Sequence, residues 1–326
     1  MIRANVLEVT AGIIRHSMAP LVSVIVELGT REVTGRLPLL DSVLDKTAAA
    51  AGLGGREVEL IFVGTHALPE GMGAAHVRSI AAPETGYYGW KNIGAAAAHG
   101  EYLVFWDSDC RPAPGYLQRV VESFEAQPEL AGIAGRSVYD GQSFMTRLNT
   151  VLSFGYLARP APTLQRDVAL SHNVAIRRSM FPAAPFGPFN GRVGGDAFLT
   201  NWGRDIGRPL KLDPALLVFH EDPSWSLTAL MERHLRDLFV ALLREGTPTR
   251  AKALRVGWRS LLRLLVERPA KLIKLGPFCG FTKLHVLASL PVLALYFVLD
   301  AIALLVLTLQ PHLLDRWLKY QFGDVV

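Results

Sequence analysis

The chain has 326 residues, 50% of them hydrophobic, with a mean hydropathy of +0.25 and a formal net charge of +5. This is too apolar for an ordinary wholly soluble protein, so part of the chain is expected to face lipid, and the length suits one large domain with appendages or two small domains. Two cysteines, Cys110 and Cys279, exclude a disulfide framework and suit a reducing compartment, leaving at most a single bridge.

The amino terminus, MIRANVLEVTAGIIRHSMAP, lacks the charged start, apolar core and cleavage site of a secretory signal, so the large amino-terminal part is expected in the cytoplasm. LVSVIVELGT, Leu21 to Thr30, is a short β-branched apolar run ended by Gly29 and reads as a buried strand. VELIFVG, Val58 to Gly64, is a second such run, and GRLPLLDSVLDKTAAAAG between them has helical spacing and alanine content. Strand, helix, strand is the unit of a parallel sheet. HVRSIAA then predicts a third strand, YYGWKNIGAAAAHG a helix closed by Gly100, and EYLVFWD a fourth strand, which makes the fold class α/β. PGYLQRVVESFEAQPELAGIAGRSV predicts a further helix and strand. From Val151 to Arg192 the prolines and glycines predict long loops over one face of the sheet. GDAFLTNWGRDIG reads as a helix, and KLDPALLVFHED as a return strand ending at His220.

The carboxyl third has a different character. From Arg250 to Lys274 the charged residues are almost all basic, with Glu267 the sole acid. Within this block Leu261, Leu262, Leu264 and Leu265 can share a helix face with Trp258, leaving Arg259, Arg263 and Lys271 to reach lipid phosphates, although a solvated basic face has the same pattern. Nucleic acid is the other partner for a basic block, but no nucleic-acid-binding motif accompanies it. Leu284 to Leu309 is long enough to cross a bilayer, which takes about 20 apolar residues, with interruptions at His285, Ser289, Pro291 and Asp300. One kinked span is expected, with a re-entrant hairpin or a buried helix pair as alternatives, and Asp300 is expected against something polar. The basic flank places the amino-terminal domain on the cytoplasmic side.

Chemistry concentrates where EYLVFWD ends. If Leu103 to Trp106 form a buried strand, Asp107 and Asp109 sit at its carboxyl end, where an α/β sheet opens into its ligand crevice and carboxylates can hold a divalent cation. A solvated turn would use the same residues.

Taken in order, VSVIV, VELIFVG, GYYGWKNIGAAAAHGEYLVFWDSD, SHNVAIRRSMF, GGDAFLTNWGRDIG and VFHE resemble the blocks of family 2 glycosyltransferases, from about Val22 to Glu221. The resemblance implies a GT-A fold, a Rossmann-like mixed sheet. It further implies transfer of a sugar from a nucleotide-sugar donor, with Mg2+ or Mn2+ bridging the diphosphate, and inversion by direct displacement. By the same resemblance Asp109 is the metal ligand, Asp107 contacts the ribose or the metal shell, and His220 completes the metal or diphosphate site. Lys91 and Asn92 lie by the diphosphate, Asn173 lines a sugar pocket, Glu27 lies by the nucleotide base, and Asp196 is the general base. Taken without the resemblance, Asp196 is also a carboxylate favoured by a helix start, and His220 a structural strand-end histidine.

The sequence departs from the family pattern in four places, the first being VELGT, where the first strand usually ends in Pro-Thr or similar. Gly195 stands where a glutamate usually precedes the base, FVGTHA lacks the aspartates that usually end the second strand, and no Gln-x-x-Arg-Trp follows Glu221, which favours transfer of a single sugar. The expected organisation is a GT-A domain over 1–225, basic amphipathic helices at the membrane surface over 226–283, a transmembrane segment over 284–310 and a short tail over 311–326. The expected acceptor is membrane-associated, a lipid-linked or polysaccharide precursor at the inner membrane. The rival readings are an inactive GT-A relative that binds a nucleotide or a partner at the membrane, and a nucleotidyltransferase, for which ELGTREVTGR is a poor glycine-rich loop.

Overall fold

The computed structural model describes residues 20–28, 58–66, 77–157, 163–164, 169–188, 195–208, 210–221, 250–310, 312–313 and 316. The helix expected between the first two strands and the segment 222–249 lie outside the described residues.

The strands are β1 (Val22–Leu28), β2 (Val58–Gly64), β3 (Val77–Ala81), β4 (Tyr102–Asp107), β5 (Cys110–Pro112), β6 (Gly132–Asp140), β7 (Thr163–Leu164), β8 (Asn173–Arg177) and β9 (Lys211–Glu221). The helices are α1 (Tyr87–Ala97), α2 (Tyr116–Ala126), α3 (Phe144–Phe154), α4 (Gly195–Asp205), α5 (Arg250–Leu275) and α6 (Lys283–Leu309). Among the described residues the strands form one sheet in the order β3-β2-β1-β4-β8-β6-β9-β5, with β7 paired to β9.

Every residue of β1 is buried, as a central strand with helices on both faces requires. Alternate residues serve opposite layers. Val22, Val24 and Val26 join Trp106, Tyr116, Val120 and Phe124 on the face covered by α2. Ile25, Ile61, Leu103 and Phe105 join Tyr88, Trp90 and Leu199 on the face covered by α1 and α4. The four strands β3, β2, β1 and β4 are parallel, as the strand-helix alternation predicts.

The second half of the sheet corrects the expectation of long loops. Asn173–Arg177 is a central strand, β8, inserted antiparallel between β4 and β6. Its five residues contain only three apolar ones between Asn173 and Arg177, so it has neither the length nor the apolar content of β1. Helix α3 also forms at the start of this region, capped by the Ser143 hydroxyl, which accepts from the Thr146 amide. Register does the rest. Asp107 ends β4 opposite Glu27, Trp106 faces Asn173, and His220 near the end of β9 lies beside both Cys110 and Tyr139.

The carboxyl region is a helical hairpin docked on α3. Helix α5 contains Pro269, a 3-10 turn spans Gly276–Cys279, and α6 contains Pro291. His285, an interruption in the sequence pattern, forms a capping box with Thr282 at the start of α6. Asp300 is buried and accepts from Arg268 at 2.8 Å, the polar partner its position calls for. The single apolar face expected for α5 is divided: Leu261 is buried, while Trp258, Leu262 and Leu265 are exposed. Lys271 donates to the Leu152 carbonyl at the end of α3 instead of reaching outward, because α5 packs against α3 as well as α6.

Candidate active site

Because β8 runs against β4, its first residues meet the last residues of β4, and the chain entering β8 supplies the link between two acids. The Ser171 amide donates to Asp196 Oδ1 at 2.8 Å, and the Ser171 carbonyl accepts from the Lys91 ammonium at 3.1 Å. The Ser171 hydroxyl lies 3.0 Å from the Tyr87 hydroxyl, which in turn sits 2.8 Å from both carboxylate oxygens of Asp107. Asp107 at the end of β4 and Asp196 in the first turn of α4 are thus held by one residue.

Asp107 is buried, and Lys91, with no exposed surface, places its ammonium 2.6 Å from Asp107 Oδ1 and within 3.3 Å of the Trp106 carbonyl. Burial pushes the Asp107 carboxyl up, but the Lys91 charge, with His172 and His220 nearby, outweighs it and holds the group well below the usual carboxylate range. Lys91 therefore serves Asp107 as an internal counter-ion. Asn92, one residue on, accepts from the Phe186 amide and donates to the Gly187 carbonyl, tying the loop after β8 to α1.

Asp196 has the opposite environment. Burial raises its carboxyl to about 6, against the hydrogen bonds from Ser171 and Tyr88 and the charge of Lys91. Gly195 accounts for the fit: a Cβ there would meet the Tyr88 ring at 2.6 Å. The residue that replaces the usual glutamate makes room for the phenol that bonds Asp196. Asp196 as a residue remains partly exposed.

Asp109 lies beyond the strand end and is also partly exposed. Its Oδ1 stands 3.6 Å from His220 Nε2, and its carbonyl accepts from the Glu221 amide at 2.8 Å, so β9 fixes it in place. His220 stacks edge-on against His172 with ring centroids 5.2 Å apart, and His172 Nε2 lies 2.9 Å from the Ser137 hydroxyl. Sequence reading passed over Ser171 and His172. Both fall in SHNVAIRR, and only the placement of β8 brings them to the acids.

Two overlapping groups could hold a cation: Asp107, His172 and His220, and Asp109, Cys110 and His220, each with ligand atoms within 4.8 Å of one another. Cys110 is fully buried, and burial pushes its thiol well up, so it is a poor ligand. What remains is carboxylate oxygen with imidazole nitrogen, a donor set that fits Mn2+ well and Mg2+ less well. Lys91 already answers the charge of Asp107, which leaves Asp109 as the partly exposed acid beside His220.

The remaining expected site residues have defined places. Glu27 is buried at the end of β1, in register with Asp107. Asn173 is completely buried: its amide donates to the Arg136 carbonyl at 2.8 Å and its oxygen accepts from the Tyr116 hydroxyl at 2.7 Å. It occupies the space that a side chain on Gly135 would fill, at the bulge in β6. The structure brings Asp107, Lys91, Asp196, Asp109 and His220 together around the carboxyl end of β4, turns Asn92 toward the backbone of the loop after β8, and buries Asn173 against β6 and the Tyr116 hydroxyl.

Residues 69–183 match the family described as Glycosyl transferase family 2. Among solved structures, a mannosyltransferase from Pyrobaculum calidifontis in complex with GDP-Man and Mn2+ is 16% identical, with a TM-score of 0.51 over 90% of this chain and 88% of its own. GalNAc-T7 with UDP, GalNAc and Mn2+ is 13% identical, with a TM-score of 0.45 over 71% of this chain and 52% of its own. A mycobacterial protein is 17% identical, with a TM-score of 0.47 over 71% and 76%. No curated protein matches. Residues 69–183 carry the likeness to that family, and the chain shares the α/β fold of the mannosyltransferase.

Proposed function

We propose that the protein transfers a sugar from a nucleotide-sugar donor to a membrane-associated acceptor, a lipid-linked or polysaccharide precursor, with inversion at the anomeric carbon. The observation that carries this reading is the Ser171 link, which holds a partly exposed acid with a raised pKa, Asp196, against the strand end that bears Asp107 and Asp109. Asp196 as a carboxylate accepts the proton of the acceptor hydroxyl. The freed oxygen attacks the anomeric carbon, and the bond to the nucleoside diphosphate breaks with its electron pair on the phosphate oxygen. Asp109 and His220, with Asp107 alongside, would hold the Mn2+ or Mg2+. The cation would supply positive charge to the departing diphosphate. Glu27, in register with Asp107, would lie by the nucleotide base, and Lys91 keeps Asp107 ionised.

The likeness to a mannosyltransferase solved with GDP-Man and Mn2+ supports the donor class and the cation, and α6, with a mean hydropathy of 2.3 over Lys283–Val306, supports a membrane location. The basic residues of α5 beside it suit the anionic cytoplasmic leaflet, which would put the catalytic domain on the cytoplasmic face of the inner membrane.

The test is nucleoside diphosphate release by the detergent-solubilised full chain across a panel of nucleotide sugars, with Mn2+, with Mg2+ and with chelator. One donor should give metal-dependent release, and Asp109→Ala should lower it by about 100- to 1,000-fold. Folded protein that neither releases nucleotide nor binds it in the presence of Mn2+ would make the chain a non-catalytic relative, and pyrophosphate as product would make it a nucleotidyltransferase.

A further inference from the structure

Helix α6 has two faces along its whole length. The outer face is an unbroken apolar stripe that includes Leu284, Leu287, Leu295, Val298, Ile302 and Leu309, all at least 47% exposed. The inner face is docked on protein: Leu293, Tyr296 and Leu299 are buried, Tyr296 shares hydrogen bonds with Asn149 of α3, and Asp300 pairs with Arg268 of α5. Helix α3 is itself fastened to the sheet, where its Thr150 hydroxyl accepts from the Tyr139 amide of β6 at 3.2 Å.

This geometry conflicts with a crossing. A span needs about 20 residues inside hydrocarbon, and any such window of the 27-residue α6 includes turns docked on α3 or α5. Crossing would carry those helices inward too. Helix α5 would bring the exposed Arg255, Arg259, Arg263 and Glu267, for which hydrocarbon offers neither water nor a partner. Immersing the outer stripe alone carries no such penalty. A helix lying in the interface sinks by about 5–10 Å, which leaves charged neighbours at headgroup depth.

We propose that α6 lies flat in one leaflet of an anionic phospholipid membrane and does not cross it, with the exposed arginines of α5 at the lipid phosphates. The exposed charge of the hairpin fits this partner: Arg255, Arg259, Arg263, Lys274 and Lys283 face a single exposed acid, Glu267, among its described side chains. The inference rests on the membrane location proposed above and fixes its form.

The test uses the full chain carrying Cys279→Ser, since Cys110 is buried and will not label. An environment-sensitive fluorophore is placed at Leu287→Cys, Val298→Cys or Leu305→Cys, and its depth in phosphatidylglycerol-containing vesicles is read with lipids spin-labelled at graded depths. All three sites should lie at one shallow depth, within a few ångströms of each other. Vesicle flotation should fall at least about tenfold in pure phosphatidylcholine or in high salt. Val298 near the bilayer centre, with Leu287 and Leu305 close to opposite surfaces, would overturn the in-plane geometry while leaving the membrane location standing. Equal flotation on neutral vesicles would overturn the anionic partner. No flotation, with all three probes in water, would overturn the membrane location itself.

Discussion

Asp107 and Asp196 are both shielded carboxyl groups within one hydrogen-bonded network, yet their surroundings drive them apart. Lys91 sits on Asp107 and keeps it ionised, whereas Asp196 has no cation within bonding distance among the described side chains and rises to about 6. In the proposed role of general base, Asp196 would be about half ionised at pH 6, so the rate should climb as pH rises through this value and level off above it. Asp196→Asn should abolish the dependence along with the activity. Its effect on stability has a definite sign. A carboxyl whose folded pKa lies above its unfolded value, near 3.9, contributes stability that is full below that value and is lost as pH rises through about 6. At pH 8 the asparagine variant should therefore melt no lower than the parent, while at pH 4 it should have no such advantage. Melting temperatures at the two pH values, with a pH-rate profile, check both statements.

At the scale of elements, the first turn of α4 is shaped around Tyr88. A methyl group on Gly195 would stand 2.6 Å from the ring, so the phenol must move and its bond to Asp196 must lengthen or break. Gly195→Ala should cost about 1–3 kcal/mol by overpacking and lower kcat by roughly 10- to 100-fold through misplacement of the base. Chemical denaturation and single-turnover kinetics would separate the two effects. The same element scale governs what the sequence made legible. Strands β1, β2 and β4 are predominantly apolar runs that call for burial, and Asp107 and Asp109 follow from the end of β4. Strand β8 is short and begins with Asn173, whose amide is satisfied by groups on β6, β9 and α2, so nothing local marks it as a strand. Ser171 and His172 were hidden for the same reason. Lys91 illustrates a different gap: a lysine near a helix start suits a phosphate, and only the packing of α1 against the sheet aims it at Asp107.

Across the whole molecule, the hairpin and the catalytic sheet are joined through α3, and one buried ion pair fixes the hairpin's internal register. Removing either Arg268 or Asp300 alone leaves the other charge enclosed, and each truncation to alanine should cost about 3–5 kcal/mol in the folded stability of the detergent-solubilised chain. The double change to alanine should cost markedly less than the sum, because it leaves neither charge enclosed. A double-mutant cycle read by denaturant titration would report this coupling. The carboxyl region was legible as apolar and basic, but sequence hydropathy cannot separate a helix surrounded by lipid from one docked along one side. That distinction depends on Tyr296 finding Asn149 and on Asp300 finding Arg268, contacts between residues distant in the chain.

Ser171 carries a consequence for how such an enzyme can change. Its amide serves the acid assigned to the acceptor, and its carbonyl and hydroxyl serve the group around the acid assigned to the donor. Lengthening or shortening the segment that enters β8 would shift both acids at once. Variation in acceptor choice that preserves the donor must therefore arise elsewhere, in surfaces that reach Asp196 without passing through this one peptide unit.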